Sequence, residues 1–200
     1  MNGYEDSRLT LQRDGFVVLR QFLSPPELQE LADLLDTYIR TTVPGLPDSS
    51  AFYHDRQRPE TLKQMQHIQD EELNAYRVHP KWKSLAEALI GEPAEGLQPE
   101  WFNKPPGVDH PTPPHQDNFY FAPSDTDALL TTWIALDAAT EENGCLHYGH
   151  GSHREPVLEH TAPEDAPFNL QVPANVAKKY PMTPALVPRG GVSIHHGNTL

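Results

Sequence analysis

The tripeptide His115-Gln116-Asp117, inside the run Pro113-Pro114-His115-Gln116-Asp117-Asn118-Phe119-Tyr120-Phe121, sets an imidazole and a carboxylate two residues apart. On an extended chain successive side chains alternate faces, so residues i and i+2 point into one space. The spacing predicts that His115 and Asp117 converge. Phe119 and Phe121 continue that face, with Asn118 and Tyr120 on the other. Two histidines and one carboxylate on one side of Fe(II) leave positions open for oxygen chemistry. His115 and Asp117 would be two of those three donors. Taken alone, the triplet is weak evidence and more often describes a hydrogen-bonded pair at a strand end.

Eight of the 11 histidines follow residue 100, so further metal-capable groups belong to the second half of the chain. His147, His150 and His153 recur at intervals of three. Tyr148-Gly149 and Gly151-Ser152 between them form turns, so that spacing does not gather the rings on one helix face, and a zinc site is not expected there. His153 reads as a loop hydrogen-bonder and His110 as an exposed loop residue. Cys145 reads as a small core residue, not a nucleophile.

These residues need elements to hold them. Asp14-Gly15 precedes Phe16-Val17-Val18-Leu19, a short strand. Ser24, Pro25 and Glu27 form a helix start with a capping box, and Leu28, Leu31, Leu35 and Tyr38 or Ile39 follow at helical spacing. Residues 41–60 read as loop. A second helix runs from about Pro80 through Trp82, Leu85, Ala86 and Leu89, and Gly91 stops it. Beyond Gly91, short apolar runs alternate with turns. Leu97–Lys104, Asn118–Ala122, Ala128–Leu136, Gly144–Tyr148 and Gly191–Ile194 are strand candidates. Residues 155–185 form a long, acidic, proline-rich excursion, of the kind that carries function, such as a lid, or holds further structure. With 21 prolines in 200 residues and this strand count, the expected fold is mainly β with flanking α-helices, in a jelly-roll-like arrangement. One domain is expected over 1–200, with a helical part to about residue 91 and a β core from about 92.

The formal net charge is −13, from 15 basic and 28 acidic residues, with no basic stripe. Nucleic acid and anionic membranes are therefore disfavoured partners, and a small-molecule substrate fits better. No apolar run reaches membrane-spanning length, and the first residues lack the pattern of a signal peptide. A single cysteine excludes an internal disulfide and a Cys-rich zinc site. A reduced cytoplasmic protein is the default expectation.

In this order and near this spacing, Asp14-Gly15-Phe16-Val17-Val18-Leu19, Ser24-Pro25-Pro26-Glu27-Leu28, Trp101-Phe102-Asn103-Lys104-Pro105-Pro106, His115-Gln116-Asp117, the Trp133 strand, Asn143-Gly144-Cys145-Leu146 and Gly151-Ser152-His153 resemble the phytanoyl-CoA dioxygenase family of Fe(II)- and 2-oxoglutarate-dependent oxygenases. The resemblance covers nearly the whole chain. It implies a double-stranded β-helix (the cupin-like jelly roll) with His115 and Asp117 as Fe(II) ligands. Trp133 matches the aromatic beside 2-oxoglutarate, and Lys63 matches a lysine that contacts this cosubstrate. A buried dianion needs cationic partners. A core aromatic and a solvated helix-surface lysine are the competing readings of those two residues.

Relatives carry a Gly-Asp pair, a strand, one His, and a second iron-binding His five residues later. Matching Gly190-Gly191 to that pair sets the third ligand just after Leu200, with the last strands and the 2-oxoglutarate-binding Arg beyond it. The alternative is that His196 substitutes; on a strand only one of His195 and His196 points inward. The implied activity is hydroxylation of an unactivated C–H bond by Fe(II), 2-oxoglutarate and O2, with ascorbate a possible reductant. A catalytically inactive, cupin-like relative that binds metal or ligand is the alternative.

Overall fold

The computed structural model describes residues 3–108, 111–162 and 170–200. His110 and residues 163–169 of the long excursion lie outside the described residues. In chain order the elements are α1 (Glu5–Asp14), β1 (Phe16–Leu19), α2 (Pro25–Thr41), β2 (Ala51–Tyr53), β3 (Leu62–Met65), α3 (Glu71–Ala75), α4 (Pro80–Ile90), β4 (Trp101–Phe102), α5 (Asp117–Phe121), β5 (Leu130–Ile134), β6 (His147–Gly149), α6 (Ala174–Ala177), β7 (Met182–Pro184) and β8 (Val192–His196). They divide into two compact units, one of residues 1–22, 88–91 and 111–200, the other of residues 23–87 and 92–110.

In the second of these units α2 begins as its sequence requires. The Ser24 amide donates to Glu27 at 2.7 Å and the Ser24 hydroxyl at 2.6 Å, and prolines occupy the first turn. Leu28, Leu31, Leu35 and Tyr38 are buried, which is the predicted stripe. The segment 51–65, expected to open as loop, instead pairs β2 with β3, and β3 with β4, in an antiparallel sheet.

The other unit carries the sheet β1-β8-β5, antiparallel throughout, and the two-stranded β6-β7. Strand β8 is central and bonded on both sides. Ala135, Ala139, Cys145, Tyr148, Ala185 and Val187 form a buried cluster here, against which Phe16, Val18 and Trp133 pack. The expected core role of Cys145 is therefore observed.

The expected double-stranded β-helix is not what forms. The described residues make a mixed α/β fold of three separate sheets, none closed into a barrel, and helix outweighs strand. The strands are short because turn residues bound them. Pro105-Pro106 follows β4 closely, and Pro188 with Gly190-Gly191 precedes β8, so long ladders cannot propagate. The predicted strand Asn118–Ala122 is helical as α5. It ends at Ala122 in the left-handed region (φ 42°), so Phe119 and Phe121 do not continue the His115–Asp117 face.

Candidate active site

Gln116 is extended (φ −120°, ψ 131°), and α5 starts at Asp117. Alternation therefore holds across the triplet itself. The His115 Nε2 lies 3.4 Å from Asp117 Oδ1. Gln116 points the other way and is completely buried.

Asp117 is held from two strands besides His115. Its Oδ2 accepts from the Thr131 hydroxyl on β5 and lies 3.0 Å from His195 Nε2 on β8. Thr131 and His195 are register partners across the β5–β8 ladder, so one step of the sheet delivers both. Behind His195, Nδ1 is 3.1 Å from the Tyr148 hydroxyl, which is 2.8 Å from Ser193 Oγ. Burial works against charge on Asp117, but His115, His195 and Thr131 outweigh it and hold the carboxyl far below its usual range. Burial likewise opposes charge on His115, and Asp117 and the Pro113 carbonyl outweigh it, raising the pKa. Tyr148 is pushed up by burial.

His115 Nδ1 is 2.9 Å from the Pro113 carbonyl, which only accepts, so Nδ1 carries a proton. In the neutral ring the Nε2 lone pair then faces the ionised Asp117 oxygen. Two acceptors held face to face call for a cation between them, either a proton or a metal ion. This tautomer is also the one that metal-bound histidines adopt, with the outer N–H on a backbone carbonyl. Among the described residues no three His, Cys, Asp or Glu side chains form a ready metal-binding group. The donor pair nonetheless fits one ion. Donors about 2.1 Å from a metal on adjacent octahedral corners lie about 3 Å apart.

Of the other sequence candidates, Trp133 is half-buried on β5, two residues from Thr131 and on its face, packed against the Tyr148 cluster. Lys63 belongs to the other unit, on β3, where burial lowers its pKa. His196 turns away: its Nδ1 accepts from the Asn198 amide at 3.0 Å, and its Nε2 faces Asp127 at 3.6 Å. His195 is the inward member of that pair. His150 pairs with Asp14 at 3.0 Å, and His153 Nε2 meets the Gln12 carbonyl at 3.0 Å. Thr131, Tyr148 and Ser193 escaped the sequence reading, and alternation left open which of His195 and His196 turns inward, because only the register of β5 on β8 sets Thr131 and His195 against Asp117. A groove of about 620 Å³ along α2 is lined by Glu30, Asp33, Asp70 and Glu72 with no cationic side chain, which makes it a poor receptor for a dianion. No helix among the described residues is long and apolar enough to cross a membrane.

The sequence profile of the phytanoyl-CoA dioxygenase family matches residues 11–200. A bovine relative, peroxisomal phytanoyl-CoA dioxygenase, is 25% identical over 171 residues, covering 80% of this chain and 50% of that protein. The dioxygenase andF of Emericella variicolor is 30% identical over 169 residues, covering 74% of this chain and 55% of its own. The chain thus spans about half the length of the curated relatives it matches. The crystal structure of EvdO2 from Micromonospora carbonacea var. aurantiaca, complexed with 2-oxoglutarate, superposes with a TM-score of 0.70 at 27% identity, covering 98% of this chain and 81% of that one. The bovine relative also corrects the cytoplasmic expectation, since its name places it in the peroxisome. A single cysteine speaks to disulfides and says nothing about organelles.

Proposed function

This chain belongs to the phytanoyl-CoA dioxygenase family, within the Fe(II)- and 2-oxoglutarate-dependent dioxygenases, and from that premise we propose that it hydroxylates an unactivated C–H bond of a small-molecule substrate, with His115 and Asp117 as its metal ligands. The observation that carries this reading is the His115 Nε2 facing the ionised Asp117 carboxylate across 3.4 Å. When bound, the metal with 2-oxoglutarate and O2 supplies the oxidant that removes hydrogen from carbon, while 2-oxoglutarate goes to succinate and CO2 and ascorbate keeps the metal reduced.

The chain's own residues do the rest. The Pro113 carbonyl fixes the His115 tautomer, leaving Nε2 as the donor. Thr131 and His195 occupy Oδ2 of Asp117 and leave Oδ1 toward His115. Trp133, on the Thr131 face of β5, is the proposed wall beside 2-oxoglutarate and excludes water there. Lys63 is the proposed cation for the dianion, and proximity of two negative charges would raise the ammonium pKa that burial now lowers. A net charge of −13 favours a substrate smaller or less anionic than a CoA thioester. Segments 41–60 and 155–185 are the proposed specificity elements.

The test is Fe(II)- and ascorbate-dependent release of succinate from 2-oxoglutarate by the full chain, which Asp117→Ala should abolish. Release that persists in Asp117→Ala sinks the ligand assignment. Metal binding with no release under any substrate screen favours a non-catalytic, ligand-binding relative.

A further inference from the structure

Gln116 stands between the two proposed ligands and is wholly buried, yet nothing in the chemistry above uses it. Its carboxamide is committed to backbone groups of two distant segments. Nε2 donates to the Asn198 carbonyl at 2.7 Å and to the Pro156 carbonyl at 3.3 Å, and Oε1 accepts from the Leu158 amide at 2.7 Å. Its own amide donates to His160 Nε2 at 3.0 Å. His160 can accept there because its Nδ1 is spoken for, 2.9 Å from the Leu158 carbonyl. The ring also stacks on Phe119 of α5, with centroids 4.0 Å apart and planes at 13°. Every polar group of Gln116 facing 156–160 is thus matched to one there, and a buried unmatched partner is costly.

Resting on the metal reading above, we propose that Gln116 and His160 are positioning residues that lock the His115–Asp117 backbone to segment 156–160, so that metal binding and the fixed conformation of that segment stand or fall together. Alternation links the two faces: Gln116 cannot turn out of its cage without turning His115 and Asp117 out of their place on the opposite face. Thermodynamic linkage makes the coupling reciprocal. Whatever factor the clamp contributes to metal affinity, the metal must return as stabilisation of segment 156–160.

The experiment follows amide hydrogen exchange in the full chain with and without Mn(II), alongside Mn(II) titration. Mn(II) should slow exchange at Leu158 and Gln116. Gln116→Met should weaken Mn(II) binding by about tenfold, the usual effect of an outer partner on a metal ligand, and should erase the Mn(II)-dependent protection at Leu158. His160→Phe keeps the stacking but removes the acceptor, and should do the same to a lesser degree. Mn(II) that binds wild type through Asp117 without changing exchange at Leu158 overturns the clamp and leaves the metal reading intact. Wild type that binds no Mn(II), or binds it equally well as Asp117→Ala, overturns both. Because the wild-type exchange comparison needs no variant, a Gln116→Met chain that fails to fold does not remove the test.

Discussion

A carboxylate as buried as Asp117 survives in its charged form only if its neighbours replace the water it has lost. Thr131, His195 and His115 supply that replacement, and Tyr148 with Ser193 holds His195 in turn. Such chains are costly to break at one link. Tyr148→Phe leaves the buried Ser193 hydroxyl and His195 Nδ1 without their shared partner. It should lower unfolding stability by about 1–3 kcal/mol, read from the midpoint of a urea titration. It should also weaken metal binding, because His195 loses the contact that aims its Nε2 at Asp117. At this scale the sequence was legible where chemistry is local. Two residues apart is enough to place His115 and Asp117 together. The roles of Gln116 and His160 were not legible, since they depend on each other across 44 residues, and the choice of His195 over His196 depends on Asp117, 78 residues away.

Among the elements, α2 shows what a strong local signal achieves. Ser24, Pro25 and Glu27 announce its start, the leucine stripe announces its buried face, and both appear as read. Lys81 of α4 then pairs with Glu27, 2.8 Å from its Oε2. Lys81 and Ser24 together lower the Glu27 pKa from 4.5 to about 2. A lowered carboxyl pKa means the folded state prefers the charged form, so this contribution is complete above pH 4.5 and disappears as the pH falls toward 2. The stability difference between wild type and Glu27→Gln should accordingly be largest near neutrality and shrink across that window in thermal melts at stepped pH. Weaker signals misled. Asn118–Ala122 looks like a strand by aromatic content, but its backbone coils because Asn118 is tied to the C-terminal segment. The Asn118 amide donates to the Gly197 carbonyl at 2.9 Å and its carboxamide to Asn198 Oδ1 at 2.6 Å. A Cβ on Gly197 would collide with the Asn118 carboxamide, so this close approach calls for glycine. Helix α1 carries no apolar stripe, with Leu11 buried and Leu9 exposed, and periodicity could not reveal it. The barrel expectation failed for a related reason: strand count says nothing about which strands close on which, and these pair into three separate sheets.

For the molecule as a whole, a formal charge of −13 at pH 7 means self-repulsion in the folded state. Added salt screens it, because the Debye length falls from about 30 Å at about 0.01 M to about 8 Å at about 0.15 M. Raising NaCl over that range should stabilise the chain by about 1 kcal/mol, which is about 2–4 °C in Tm at this length. Calorimetry showing a flat or falling Tm would mean the acidic groups are already neutralised by local partners. The same molecule contains one feature whose effect is statistical. His195 of β8 lies opposite Phe16 of β1 on one side and Thr131 of β5 on the other. A slip of β8 by one residue would keep the backbone ladders but turn His195 away from Asp117, while Thr131 stayed in place on β5. Impaired variants of this strand should therefore yield a mixed population, some molecules fully competent and the rest inert. Their defect would show as fewer metal equivalents bound per chain, with each occupied site retaining its normal affinity.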